Sequence, residues 1–137
     1  MRYLGIDYGS KRVGLALSDE AGTMGFPHAV VANTPRLSDE LCARIAEKGV
    51  GMVVIGESRD LQGGENPIAE KARALGDELS ARAGVPIAYE SEIYTSAEAR
   101  RAAGAQEKTR APKARGSVDA SAAALILTSY LSRRDKV

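Results

Sequence analysis

The sequence predicts an α/β domain whose core is a five-stranded mixed sheet with helices on both faces. Residues 2–8 and 12–18 are two apolar stretches around a short turn, which is typical of an antiparallel hairpin. Later in the chain, short apolar runs alternate with helical patterns, as in parallel sheets. These observations predict the order β-β-β-α-β-α-β-α-α in a single domain spanning residues 1–137.

The first half of the chain supplies three strands and one helix. A weaker third strand over residues 24–31 contains Pro27, and proline inside a strand favours an edge position. Apolar residues at helical spacing predict a helix over residues 37–48, which Gly49 ends. This half therefore predicts a meander that leads into the first helix.

The second half alternates strands with helices. We predict a buried strand over 51–56, a loop over 57–66, and a helix over 67–83 with Pro67 in its first turn. A strand over 85–89 follows, and then a helix from Thr95 or Ser96 to 103. A basic loop over 104–116 leads to a last helix over 117–132, which Ser117 caps. This alternation predicts the parallel part of the sheet.

Composition narrows the class of protein. Hydrophobic residues make up 44% of the chain, and the sequence contains no apolar run of about 18 residues, the length that a membrane helix needs. No leader pattern precedes the first strand, so we expect a cytoplasmic protein that does not bind membranes. A single cysteine, Cys42, excludes an internal disulfide and a cysteine zinc cluster, and we expect it to be buried.

Asp7 is the most informative residue because it ends an apolar strand beside a glycine turn. Gly9 and Gly14 permit close backbone approach or a positive φ at this point. Lys11 and Arg12 add positive charge to the same hairpin. A carboxylate, flexible backbone and cations together favour a site for a metal ion or a phosphate.

Three other acids lie where the predicted topology brings strand ends together. Glu90 and Glu92 follow the last predicted strand, and Asp119 lies in the first predicted turn of the last helix. Carboxylates that converge with Asp7 need a cation to stay ionised together. Carboxylate oxygens suit Mg²⁺ or Mn²⁺, and a pair of such ions can clamp the two oxygens of a phosphodiester displacement.

Basic residues cluster just before Asp119, although the net charge of the chain is only +1. Between residues 108 and 118 there are four cations and no acid: Lys108, Arg110, Lys113 and Arg115. Aromatic residues are scarce, so nucleic acid would be bound here through backbone charge and shape. Arg12 is either a further phosphate contact or the partner of an acid. The only histidine, His28, is far from the acids in sequence, which argues against a catalytic histidine.

Nearly the whole chain resembles the YqgF/RuvX family of the RNase H-like nuclease superfamily. The resemblance rests on the opening Gly5-Ile6-Asp7-Tyr8-Gly9 with Arg12 and Gly14, on the strand Val53-Val54-Ile55-Gly56, and on Val118-Asp119 with Ala122-Ala123. Family members are described as Holliday junction resolvase-like proteins and as pre-16S rRNA nucleases. The resemblance implies an RNase H-like fold.

The resemblance also implies an acidic triad of Asp7, Glu92 and Asp119 that binds Mg²⁺ or Mn²⁺. The family usually has Asp-Glu-Arg before its next helix, whereas this chain has Ser91-Glu92-Ile93. A shift in the alignment would place Glu90 in the site, so Glu90 is the reserve for Glu92. The family's Gly-Leu-Pro is replaced by Gly56-Glu57-Ser58.

The implied activity is a metal-dependent endonuclease that leaves a 5′-phosphate and a 3′-hydroxyl. The implied substrate is structured RNA, most of all the 5′ end of pre-16S rRNA in ribosomal precursor particles, with branched DNA as the alternative. A non-catalytic RNA-binding module for ribosome assembly remains open, as does a monomer or a homodimer. Sugar kinases and actin-like ATPases have a similar phosphate loop, but they pair two such lobes, and this chain has the length of one.

Overall fold

A computed structural model of the chain describes residues 1–57, 67–91 and 115–134. The strands are β1 (Arg2–Tyr8), β2 (Arg12–Ser18), β3 (Gly25–Ala32), β4 (Val50–Glu57) and β5 (Ile87–Ser91). The described helices are α1 (Leu37–Lys48), α2 (Pro67–Ala83) and α3 (Arg115–Arg134). Within these ranges the predicted element types and their order are confirmed. The helix predicted up to residue 103, and most of both predicted loops, lie outside the described residues.

The strands form one five-stranded mixed sheet in the order β3-β2-β1-β4-β5. β1 pairs antiparallel with β2 and parallel with β4, and β5 adds in parallel to β4. β3 pairs only with β2 in this sheet, so the edge position predicted from Pro27 is confirmed. β1 therefore lies at the centre of the sheet, where its residues are covered on both faces.

The two faces of the sheet carry separate apolar layers. Leu4, Ile6 and Ile55 pack with α1 and α2 on one face, whereas Ala16 and Val54 pack with α3 on the other. This alternation follows the two-residue period of a strand. The prediction of helices on both faces is thus confirmed. None of the described helices is both long and apolar enough to span a bilayer.

Helix α3 rests directly on glycine backbone. A Cβ added to Gly5 of β1 would lie 2.8 Å from Cβ of Leu127 and 3.1 Å from the carbonyl oxygen of Ala123. Gly25 of β3 lies equally close to the same helix, and its N–H donates to Oγ1 of Thr128 at 3.0 Å. Because any side chain at Gly5 would push the helix outward, glycine sets the distance between α3 and the central strand.

Four sequence-based details are wrong. Strand β5 begins at Ile87 rather than residue 85, because Pro86 has no N–H and joins the sheet only by accepting from the Val53 N–H. Strand β5 also continues to Ser91 rather than ending at residue 89, so Glu90 lies inside it and not after it. Helix α3 begins at Arg115 rather than at Ser117, and Cys42 is only partly buried.

Candidate active site

Asp7 lies near the end of β1 on the face that α3 covers. It is two residues beyond Gly5, which α3 contacts, and strand residues two apart share a face. Its partner in the antiparallel pairing is Gly14, so no side chain stands beside it on β2. The carboxylate is only partly buried. At the position directly opposite Asp7, β2 therefore presents backbone rather than a side chain.

The turn that follows Asp7 is held from two directions. A Cβ on Gly9 would lie 2.4 Å from the carbonyl oxygen of Arg12, so only glycine fits, and the reason is close approach rather than a positive φ. Asn33, just past β3, donates from Nδ2 to the carbonyl of Gly9 at 2.8 Å. Its backbone N–H donates to the carbonyl of Lys11 at 2.9 Å. The hairpin that carries Asp7 is thus fixed at its tip.

Arg12 is a cation on the same face as Asp7. Asp7 pairs with Gly14, and Arg12 is two residues before Gly14 on β2, which makes Arg12 a diagonal neighbour of Asp7. The side chain is partly buried. The arrangement offers a positive charge close to the carboxylate, as an anionic substrate would require.

Asp119 lies in α3, the helix that packs against β1. It is four residues, one helical turn, before Ala123, whose carbonyl contacts Gly5. Its predicted place in the first turn is wrong: because Arg115 and Gly116 extend the helix, Asp119 is its fifth residue. Arginine favours helices and one glycine costs only about 1 kcal/mol, so the helix starts before the predicted cap.

Glu90 is completely buried beneath α3. Its side chain is 0% exposed and forms an ion pair with Arg133 in the last turn of that helix. The neighbouring position on β4 is Gly56, and a Cβ there would lie 2.4 Å from Cδ1 of Ile126. Ile126 therefore fills the space over Gly56, on the side of Glu90 that faces the centre of the sheet.

The remaining predicted site residues divide into two groups. Arg115, predicted in the basic loop, is instead the first residue of α3. The other four lie outside the described residues: Glu92, Lys108, Arg110 and Lys113. Among the side chains that the structure describes, no three His, Cys, Asp or Glu residues are grouped as metal ligands would be.

His28 occupies the edge strand, two strands from β1. Its Nε2 lies 3.0 Å from Nη1 of Arg44 in α1. Burial, and then the positive charge of Arg44, lower its pKa below the usual 6.5. The prediction of a partly buried strand residue is confirmed, whereas the absence of a catalytic role for His28 stays a prediction.

A cleft beside the Asp7 hairpin was not predicted. It has a volume of about 360 Å³ and lies between the hairpin turn, the end of β3 and the first turns of α2. Its lining combines an aromatic ring, hydroxyl and amide groups, two apolar side chains and one cation: Tyr8, Ser10, Asn33, Thr34, Pro35, Ile68 and Lys71. Lys71 follows a glycine-rich stretch at a helix start, a signal that could have drawn attention to it.

Comparisons with known proteins show the family of the chain. Residues 1–133 match the model of the family described as "RuvX: Holliday junction resolvase". A relative from Anaeromyxobacter sp. (strain Fw109-5) is 38% identical over 136 residues, 98% of each chain. One from Oenococcus oeni is 35% identical over 141 residues, 100% of this chain and 98% of the relative. Both are named "Putative pre-16S rRNA nuclease".

Solved structures share the fold at low sequence identity. RuvC of T. thermophilus, in a complex with a Holliday junction substrate, gives a TM-score of 0.67 at 19% identity and covers 100% of this chain and 97% of its own. The fowlpox virus Holliday junction resolvase gives 0.55 at 10% identity, over 97% and 99% of the two chains. With an RNase H-like fold and a family match over almost its full length, the chain belongs to the RuvX family and is a nuclease.

Proposed function

We propose that this nuclease is a metal-dependent endonuclease that cuts structured RNA, with the 5′ end of pre-16S rRNA as its substrate. The observation that carries the proposal is the setting of Asp7. Its carboxylate stands at the end of the central strand with Gly14 beside it and Arg12 diagonal to it. In such a setting Gly14 leaves room directly beside the carboxylate, and Arg12 offers a positive charge to an approaching phosphodiester backbone.

The donor set fits a hard divalent cation. Asp7 and Asp119 belong to two elements in direct contact, and Glu92 follows β5 by one residue. Carboxylate oxygens are the ligands that Mg²⁺ and Mn²⁺ prefer. Held by Asp7, Glu92 and Asp119, such ions would supply an activated water and stabilise the charge on the leaving oxygen. In this proposal the carboxylates bind and orient, and they are not the nucleophile.

Cations of this chain would hold the phosphate backbone around Asp7. Arg12 would contact a phosphate next to the scissile one, because it shares the face of Asp7. Lys71 in the cleft makes no ion pair with any residue that the structure describes, so its charge is available to a second phosphate. The basic cluster Lys108, Arg110, Lys113 and Arg115 would bind further along the strand.

The relatives favour RNA over DNA as the substrate. The two relatives that are named for pre-16S rRNA are 38% and 35% identical to this chain in sequence. The structure solved with a Holliday junction shares only 19%. Branched DNA is the second candidate because the family description names a Holliday junction resolvase. The proposal places the protein in the cytoplasm, where rRNA precursors are processed on ribosomal particles.

The test is cleavage of end-labelled substrates with Mg²⁺ or Mn²⁺. Wild type, Asp7→Asn and the control Asp77→Asn, which changes an exposed acid of α2, are compared on a pre-16S 5′-end fragment and on a four-way DNA junction. The proposal expects metal-dependent cuts in the RNA by wild type and the control, but not by Asp7→Asn. Cuts confined to the junction would identify branched DNA as the substrate. Binding without cleavage in all three proteins would contradict the nuclease mechanism proposed here.

A further inference from the structure

The ion pair between Glu90 and Arg133 lies in a mostly apolar layer, in which α3 also buries Ser129. Ala88 precedes Glu90 by two residues and packs on the cluster that Val54 and Leu131 belong to. The side chain of Glu90 is 0% exposed, whereas that of Arg133 is 42% exposed. One carboxylate is thus buried in a layer that methionine or leucine would fill more simply.

Burying a carboxylate has a cost in free energy that an ion pair often does not recover. Taking a charge out of water costs several kcal/mol, and apolar residues of similar volume often replace a buried pair without loss of stability. Here Oε2 of Glu90 also has no hydrogen-bond partner within the described part of the chain. The pair is therefore poorly explained as a device for stability.

The pair also does not qualify as a metal ligand for the site. Arg133 neutralises the carboxylate, and Ile126 stands over Gly56, the residue beside Glu90 on β4. Two strand spacings, about 10 Å, separate β5 from β1 and hence Glu90 from the position of Asp7. Glu90 thus faces a helix rather than the central strand end.

The Glu90–Arg133 pair connects the end of β5 to α3, and this place in the fold suggests a role other than stability. Glu90 is the fourth of the five residues of β5 and comes two residues before Glu92 in the chain, while Arg133 belongs to the helix that carries Asp119. We propose that the Glu90–Arg133 pair is a positioning device, which locks the end of β5 against α3 and so sets where Glu92 stands relative to Asp119. Its effect on metal binding rests on the proposed function, but the locking of β5 does not.

A double variant separates this role from simple support of the fold. Glu90→Met with Arg133→Met replaces the pair by unbranched apolar side chains of similar volume, so the fold should keep its stability. The control, Asp39→Met with Arg82→Met, removes the 2.6 Å ion pair between α1 and α2 on the other face of the sheet. Glu90→Gln keeps the shape of the side chain and serves for the same measurements should the double variant not fold.

Two measurements are made on each variant beside its unfolding free energy. Amide hydrogen exchange over residues 87–91 should become about tenfold faster in the double variant through local opening, with the other strands unchanged. The Mg²⁺ concentration for half-maximal cleavage should rise about 10–100-fold, as when groups that orient metal ligands are removed. The control pair should change neither quantity.

The outcomes distinguish this inference from the proposed function. Wild-type exchange and wild-type Mg²⁺ dependence in a stable double variant would overturn the positioning role and leave the nuclease mechanism standing. A uniform rise in exchange throughout the sheet, matched by a fall in unfolding free energy, would also overturn it. Amide exchange could be faster at β5 in the double variant while wild type shows no metal-dependent cleavage. That result would support the role of the pair in holding β5 against α3, and it would contradict the proposed metal mechanism.

Discussion

Asp7 and Glu90 are two acids near strand ends on the same face of one sheet, yet their surroundings differ. Asp7 is partly buried, with Gly14 beside it and a hairpin turn beyond it. Glu90 is fully buried, with Arg133 as its partner and Ile126 over the neighbouring position on β4. The first carboxylate is partly exposed beside a glycine, whereas the second is enclosed by a helix.

This difference teaches what makes a strand-end carboxylate suitable for chemistry. Both acids satisfy the sequence criterion of following an apolar strand. A carboxylate can serve a cation or a phosphate only when its neighbours leave room for that ligand, and the buried ion pair of Glu90 leaves none. Beside Asp7, the missing side chain of Gly14 leaves space for a ligand. Beside Glu90, Ile126 of α3 fills the corresponding space over Gly56.

The largest expected effect is the loss of cleavage in Asp7→Asn. Asparagine keeps the shape of the side chain but removes the charge, so the metal-dependent rate should fall by more than about a hundredfold, beyond the loss typical for groups that only orient ligands. Single-turnover cleavage at saturating Mn²⁺ measures it. Retention of at least a tenth of the wild-type rate would show that Asp7 is not essential to the site.

The next effect concerns the enclosed acid. Arg133→Met leaves the charge of Glu90 buried without its partner, and we expect the unfolding free energy to fall by about 3 kcal/mol. Urea denaturation measures the change, and Arg82→Met, which breaks exposed ion pairs with Asp39 and Glu78, should cost less than about 1 kcal/mol. Equal losses in the two variants would mean that Glu90 is not held as the structure has it.

Two glycine substitutions compare the surroundings of the acids directly. A methyl group on Gly9 would meet the backbone oxygen of Arg12, whereas one on Gly56 would meet the movable tip of Ile126. Because backbone yields less easily, Gly9→Ala should cost about 2 kcal/mol and Gly56→Ala clearly less. Thermal denaturation of both proteins decides the order. The reverse ranking would contradict the tight hairpin beside Asp7.

The smallest effect is expected in the cleft next to Asp7. Lys71→Ala should weaken RNA binding a few-fold and reduce the slope of log K against log salt by about 0.7, the value for one phosphate contact on a single strand. Fluorescence anisotropy in the Asp7→Asn background measures binding without cleavage. Lys48→Ala, at the end of α1, is the matched control. An unchanged slope in Lys71→Ala would exclude the cleft from the nucleic-acid path.

Much of the architecture could be predicted because local patterns determine it. The alternation of apolar residues around Gly9 predicted the hairpin, and Pro27 predicted the edge strand, since both signals act within a few residues. Element ends were less predictable. Pro86 delayed β5 because its missing N–H matters only once β4 lies alongside, and Arg115 extended α3 by two residues.

For the candidate site too, some features could be predicted from the sequence and others could not. Residue pattern was enough to identify Asp7, because a carboxylate, a strand and a glycine turn are adjacent in the chain. It could not separate Glu90 from Glu92, since both acids sit at the end of one apolar segment. Tertiary structure alone decided that Glu90 is enclosed, because Arg133 lies 43 residues further along the chain and only the packing of α3 on the sheet brings them together.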